Sequence, residues 1–72
     1  MLKQYRLTIW YIAKSDGELQ FLSPLAIDAV DEAEAARSGS SLARLLIGSG
    51  FATKVMVRIE GDDVDRSIEL QA

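Results

Sequence analysis

The stretch QYRLTIWYIAKSDGELQFL, residues 4–22, alternates polar and apolar side chains and contains an Asp-Gly pair. Neighbouring residues of a β-strand point to opposite faces of the sheet, so the odd positions from Tyr5 to Ala13 form one face and the even positions form the other. The odd face is mostly apolar and is predicted to lie in the core. The even face is polar at its ends, but Trp10 and Ile12 lie in its middle.

The Asp16-Gly17 pair predicts a tight turn that joins two strands into a hairpin. A two-residue loop would mix polar and apolar side chains on both faces. A three-residue loop of residues 15–17, with Gly17 left-handed at a bulge, places Phe21 opposite Tyr11 in the core. The same loop places Leu22 opposite Trp10 on the other face. We therefore predict the three-residue loop.

Residues 24–30 have two interpretations. Ser23-Pro24 is suited to cap and start a helix, and Pro24 is equally suited to kink an edge strand that continues to Ala29. The pattern Asp31-Glu32-Ala33-Glu34 matches a capping box and favours a main helix that begins near Asp31. This helix is predicted to run to about Ile47 and to stop at Gly48-Ser49-Gly50.

Three- and four-residue spacing predicts which face of this helix packs on the sheet. The predicted face consists of Ala35, Ser38, Gly39, Leu42, Leu45 and Leu46. Its small residues allow the helix to approach the strands closely. Gly39 weakens a helix interior by roughly 1 kcal/mol relative to alanine, so a break into two short helices at residues 38–41 is the alternative.

The last third of the chain predicts a second hairpin. Alternating apolar residues from Thr53 to Ile59 and from Val64 to Leu70 flank Gly61-Asp62-Asp63. A loop at residues 62–63 pairs Val57 with Ile68 and Val55 with Leu70, so that apolar residues meet. The fold class predicted for residues 1–72, as a single domain, is α+β: a two-layer ββαββ sandwich with a four-stranded, mainly antiparallel sheet and one main helix on one face.

Composition restricts the function classes. A chain of 72 residues has room for one small core, and a hydrophobic share of 49% argues against disorder. A net charge of −3 argues against a dedicated nucleic-acid binder, and the absence of cysteine and histidine disfavours thiolate metal sites and imidazole catalysis. With no apolar run of about 20 residues and no signal-peptide pattern, we expect a soluble cytoplasmic protein.

No catalytic, metal or cofactor-binding residue is predicted. The acidic group Glu60, Asp62, Asp63 and Asp65 lacks the spacing of a calcium loop and is interpreted as a solvated turn. The glycine-serine segments at residues 38–41 and 48–50 lack the lysine and the spacing of a phosphate-binding loop. Their serines have no histidine to activate them. We expect a protein that is not an enzyme.

The outward face of the sheet is the predicted partner-binding site. Its apolar centre consists of Trp10, Ile12, Leu22 and Met56, and its basic rim of Arg6, Lys14, Lys54 and Arg58. A contiguous apolar surface with a tryptophan and a polar rim is typical of a protein interface. The alternative is that Trp10 and Leu22 are only a stabilising cross-strand pair, or that the chain ends cover them.

Three function classes place different demands on this face. A protein-binding module would use Trp10 as an anchor. A single-stranded nucleic-acid-binding module would stack bases on Trp10 and hold phosphates with Arg6, Lys14 and Arg58, and a homodimer would bury the face against its own copy. The net negative charge of the chain favours a protein partner over nucleic acid.

In size and layout, with Asp31-Glu32-Ala33-Glu34 opening the helix and Val55-Met56-Val57-Arg58-Ile59 forming a following strand, the chain resembles small phage-encoded inhibitor proteins of the anti-CRISPR kind. That resemblance implies an inhibitor that binds a host protein complex. It assigns no functional residue.

Overall fold

The computed structural model describes the backbone of residues 1–72 and every side chain except that of Ser23. The elements are β1 (Lys3–Ala13), β2 (Leu19–Ala29), α1 (Glu32–Gly48), β3 (Ala52–Glu60) and β4 (Asp65–Gln71). The strands form one sheet in the order β2-β1-β3-β4, and every neighbouring pair is antiparallel. The prediction of an α+β domain with one helix packed on an antiparallel sheet is confirmed.

Helix α1 begins where the capping box predicts. Asp31 has an extended backbone, and its side-chain Oδ1 accepts a hydrogen bond of 2.9 Å from the backbone N–H of Glu34. The helix continues to Gly48 without the break considered at residues 38–41, and Gly50 follows in the left-handed region with φ of 79°. Strand β2 runs through Pro24 to Ala29, so the helix start at Ser23-Pro24 is wrong. The capping role considered for the Ser23 side chain lies outside the described residues.

The core lies between the helix and one face of the sheet. It contains the odd residues of β1 from Tyr5 to Ala13, as predicted, together with Val55, Val57 and Ile59 of β3. The helix contributes Ala35, Ala36 and Ala43 to the cluster of buried apolar side chains, and Gly39 is also buried. A Cβ built on Gly39 would lie 3.1 Å from Val57 Cγ1, so the small residues do permit close approach to β3.

One residue of the predicted helix face is misplaced. Leu45 is 66% exposed. The contact stripe is centred on Ala35, Gly39 and Ala43, which are four residues apart, and Leu45 lies two residues, or about 200° around the helix axis, from Ala43. Leu42 and Leu46 are partly buried against the core.

The loop of the first hairpin is one residue longer than predicted. The backbone N–H of Ala13 donates to the carbonyl of Glu18 at 3.1 Å, and the N–H of Gly17 donates to the carbonyl of Ala13 at 2.8 Å. Residues 14–17 therefore form a four-residue loop, in which Gly17 is left-handed with φ of 70° and Asp16 Oδ1 accepts from the N–H of Glu18. The predicted three-residue loop is wrong.

This loop changes which residues of β2 face the helix. Near the turn, Trp10 pairs with Phe21 and Ile9 pairs with Leu22. Beyond a register shift between Leu7 and Ile9, Leu7 pairs with Leu25. Two residues of β2, at positions 23 and 24, thus stand against one residue of β1, which is a β-bulge at the proline, where a backbone donor is missing.

The second hairpin has the predicted register. Val57 pairs with Ile68 and Val55 pairs with Leu70. The N–H of Gly61 donates to the carbonyl of Val64 at 2.9 Å, so the loop consists of Asp62 and Asp63.

Candidate functional site on the open sheet face

The sheet face opposite the helix carries five neighbouring apolar side chains. In one row across the strands, Phe21 of β2 and Met56 of β3 both pair with Trp10 of β1. In the next row, Ile12 pairs with Leu19 on one side and with Lys54 on the other. Directly opposite side chains in antiparallel strands lie in contact distance of each other. The five residues, Trp10, Ile12, Leu19, Phe21 and Met56, are called the apolar patch.

The apolar patch is accessible to solvent. Leu19 and Phe21 are each 62% exposed, and Trp10, Ile12 and Met56 are half-buried by their neighbours. Single exposed apolar residues are common on proteins, but a contiguous group that includes a tryptophan and a phenylalanine is characteristic of a contact surface.

Three of the four residues predicted for the centre of this site lie together, and one does not. Trp10, Ile12 and Met56 share the open face. Leu22 pairs with the buried Ile9 and therefore belongs to the opposite face of the sheet, where it is 37% exposed. Its place beside Trp10 is taken by Phe21, which the three-residue loop had assigned to the core.

The basic residues around the apolar patch are partly neutralised by β4. Arg58 donates two hydrogen bonds of 2.9 Å to the carboxylate of Asp65, from Nε to Oδ1 and from Nη2 to Oδ2. Lys54 Nζ lies 2.6 Å from Glu69 Oε1. The hydrogen bond from Arg58 lowers the pKa of Asp65, and the one from Lys54 lowers the pKa of Glu69. The patch is thus bordered on the β4 side by charge pairs rather than by free cations.

The other two residues of the predicted rim are placed differently. Arg6 lies on the open face, but at the far end of the sheet, where it pairs with Ala26 on β2 and Glu60 on β3. Lys14 lies in the loop after β1, and its backbone N–H donates to the carbonyl of Phe51. The basic rim is therefore dispersed.

The ion pair between Arg58 and Asp65 can be tested by measuring the pKa of Asp65. Because the folded-state pKa of Asp65 lies below its ordinary value of 3.8, the pair contributes to stability above that pH, and the contribution is lost as the pH falls through the lowered value. In Arg58→Ala, we expect the pKa of Asp65 to rise toward 3.8. NMR titration of the side-chain carboxyl carbon measures this change. The pKa of Glu69, which Lys54 lowers, serves as the internal control and should not move. An Asp65 pKa that is the same in parent and variant would contradict the ion pair.

The acidic residues at the second turn are, by residue type, candidate ligands for a metal ion. Among the described side chains, no group of three or more acidic residues is placed to hold a metal ion. Asp65 is instead bonded to Arg58. The segment at residues 38–41 lies inside α1, and residues 48–50 form its end, where Ser49 Oγ donates to the carbonyl of Leu46. Both glycine-serine segments thus have structural roles.

A second polar feature lies between α1 and β4. Arg37, Arg44 and Arg66 line an open groove there with the hydroxyl groups of Ser40 and Ser41. Arg66 Nη1 is 3.9 Å from Glu32 Oε1, a distance typical of a weak, solvent-screened surface pair. The three arginines of the groove are exposed, so their charges are screened by solvent.

Comparison with protein-family models, with curated proteins and with solved structures finds no match to this chain. Within the part of the chain that the structure describes, no helix has both the length and the apolar character needed to cross a membrane.

Proposed function

We propose that this protein is a non-enzymatic, cytoplasmic protein-interaction module that binds a partner protein through the apolar patch. Trp10 is the anchor, and Phe21 and Met56 flank it. In the two-layer ββαββ arrangement, the helix covers one face of the sheet and the partner covers the other. The observation that carries the proposal is the exposure of Leu19 and Phe21, at 62% each, in contiguity with Trp10.

The anatomy of the patch supports a protein partner. Protein interfaces combine a desolvated aromatic and aliphatic centre with a polar rim, and tryptophan is enriched among the residues that contribute most to binding. Here the centre is apolar, and the Lys54–Glu69 and Arg58–Asp65 pairs border it with both signs of charge. A partner that carries apolar residues between polar ones would complement both parts.

The same ion pairs argue against the nucleic-acid alternative. Single-stranded nucleic acid is held by aromatic stacking together with cations that contact the phosphates. Of the three cations predicted to hold the phosphates, Arg58 is bonded to a carboxylate, and so is Lys54 of the same basic rim. A phosphate would have to displace those carboxylates or approach them.

The proposed biological role is inhibition of a host protein complex, in the manner of the small phage-encoded inhibitors that the chain resembles in size and layout. An inhibitor that acts by occupying a surface requires an exposed contact face rather than catalytic groups. The open sheet face meets that requirement.

A photo-crosslinking experiment tests the proposal. Phe21 is replaced by benzoylphenylalanine in one variant and Leu45, which is 66% exposed on the helix, in another. After irradiation in extract of the cells that produce the protein, we expect position 21 to form one dominant crosslinked species with another protein and position 45 to form none. Equal crosslinking at both positions, or none at position 21, would contradict the proposal.

A charge substitution then measures the contribution of the patch to the affinity for the crosslinked partner. Leu19→Lys is expected to weaken binding by roughly tenfold or more, because a charge must be desolvated at the contact, whereas Leu45→Lys should bind as the parent does. Trp10→Ser is expected to have the larger effect. Titration of the parent with single-stranded nucleic acid, followed by the fluorescence of Trp10, should show no change; quenching would favour the stacking alternative.

A further inference from the structure

The two edges of the sheet differ in the backbone groups that they leave available. The N–H of Ala13 donates to the carbonyl of Glu18, so the backbone N–H and C=O groups of alternate residues of β2 from Glu18 onward point toward β1. The N–H and C=O groups of Leu19 and Phe21 therefore point away from β1. On β4, the bond between Gly61 and Val64 sets the same alternation, so that Asp65, Ser67, Glu69 and Gln71 point away from β3. Each edge offers unpaired donors and acceptors.

The β4 edge is protected against further strands, and the first part of the β2 edge is not. Natural proteins protect edge strands with charged side chains, short length, proline or bulges. Strand β4 has seven residues and carries Asp65, Arg66 and Glu69. Strand β2 has eleven residues, and its bulge and Pro24 interrupt pairing only from position 23. Residues 19–22, Leu-Gln-Phe-Leu, carry no charge.

We propose that residues 19–21 of β2 pair with the same segment of a second copy of this chain. In the antiparallel, two-fold arrangement, Leu19 lies opposite Phe21 of the second copy, and Gln20 lies opposite Gln20 of the second copy on the axis. Leu19 and Phe21 then exchange backbone hydrogen bonds with the facing residues in both directions, because both residues point outward. No charged side chain is brought opposite a like charge within this segment.

Side-chain packing supports this register. Leu19 and Phe21 are both on the open face, so the pairing places the Leu19 and Phe21 side chains of two copies side by side. The apolar patches of the two copies become one continuous surface across a shared sheet. Pairing of β2 with β4 of another copy would bring Asp65 or Glu69 against this apolar segment instead. The inference goes beyond the proposed function, since it uses the β2 backbone and requires no other protein.

Proline substitution separates the backbone from the side chain. Leu19→Pro removes an outward-pointing donor and leaves the bonds between β1 and β2 in place, whereas Leu19→Ala removes the side chain and keeps the donor. Ser67→Pro and Ser67→Ala form the matched pair on the β4 edge. The dimerisation constant of each variant is measured by analytical ultracentrifugation, with circular dichroism to verify the fold.

The parent is expected to be a reversible dimer. Because each copy loses one donor, Leu19→Pro should dimerise roughly tenfold more weakly than Leu19→Ala, and the two Ser67 variants should match each other. Equal weakening by Pro and Ala at position 19 would mean face-to-face packing of the apolar patches and would overturn the proposal. So would a parent that is monomeric at every concentration, or a dimer that Ser67→Pro disrupts.

A charged variant provides an independent test if Leu19→Pro does not fold. Phe21→Lys places a cation in the pairing segment and is expected to make the protein monomeric, as lysine does on natural edge strands. Leu45→Lys, on the exposed side of the helix, is the control and should remain dimeric. An unchanged dimer in Phe21→Lys would also contradict the proposal. The photo-crosslinking experiment at position 21 tests binding to a different protein, whereas ultracentrifugation tests dimerisation. The proposed function can therefore fail while this inference stands.

Discussion

Replacing Leu7 with alanine is expected to lower the free energy of unfolding by about 2–5 kcal/mol. Leu7 has no exposed surface, and it lies on the central strand β1 between Leu25 of β2 and Ile59 of β3. Truncation removes buried methyl groups and leaves a cavity under the helix that rigid neighbours fill only partly. A domain of this length has a total stability of roughly 4–11 kcal/mol, so the variant loses a large fraction of it.

Urea denaturation followed by Trp10 fluorescence measures this loss, with Leu45→Ala as the control. Leu45 is the same residue type, but it is 66% exposed on the helix, and its truncation should change the free energy of unfolding by less than about 0.5 kcal/mol. Similar losses in the two variants would show that the core does not lie between β1 and the helix as described.

The positions of β1, α1 and the second hairpin could be predicted from sequence because their signals are local, whereas residues 24–30 are compatible with both a helix and a strand. The alternation of Tyr5 to Ala13 placed one face of β1 in the core. The Asp31 capping box located the start of the helix, and the Asp62-Asp63 loop set the register of the second hairpin. Each of these signals depends on a few neighbouring residues, so no knowledge of the tertiary structure was needed.

The register of the first hairpin could not be predicted because two local irregularities offset each other. The three-residue loop implies that Leu7 faces Leu25, and this pair does occur. Near the turn, however, the four-residue loop shifts the register by one residue, and the bulge at positions 23–24 shifts it back. The alternation of apolar residues along the two strands reflects only the sum of the two register shifts, and this sum is zero.

This compensation determines the composition of the candidate site. Between the loop and the bulge, every side chain of β2 is moved to the opposite face from the one predicted. Phe21 and Leu19 therefore reach the open face, and Leu22 leaves it. The signal that could have shown this is Pro24 within an otherwise regular strand, since proline in strands is confined to edges and bulges.

The exposed Leu45 also depends on tertiary structure. Helical periodicity predicts a packing face that includes Leu45 together with Ala35 and Gly39. Close approach of the helix to Val57 at Gly39 selects the stripe of Ala35, Gly39 and Ala43. Periodicity gives the width of an apolar face, but the distance between the layers decides which part of it is buried.

Replacing Gly61 with alanine is expected to destabilise the protein by about 1–3 kcal/mol, the usual range for overpacking. Gly61 follows β3, and a Cβ built there would lie 2.9 Å from Tyr5 Cδ1 and 3.0 Å from Tyr5 Cε1. Tyr5 is only 4% exposed and belongs to the core, so its ring cannot move away without disturbing its neighbours. The backbone of Gly61 is not left-handed, so the steric contact alone requires glycine.

Gly48→Ala provides a control with the opposite expected sign. Gly48 is the last residue of α1, its φ is not positive, and a Cβ there would meet no atom within 4 Å. Alanine should therefore stabilise the helix by up to about 1 kcal/mol. Urea denaturation of the two variants measures both effects. If Gly61→Ala were as stable as the parent, the Tyr5 ring would have room to rotate, and the close contact between the second turn and β1 would not be a constraint on the fold.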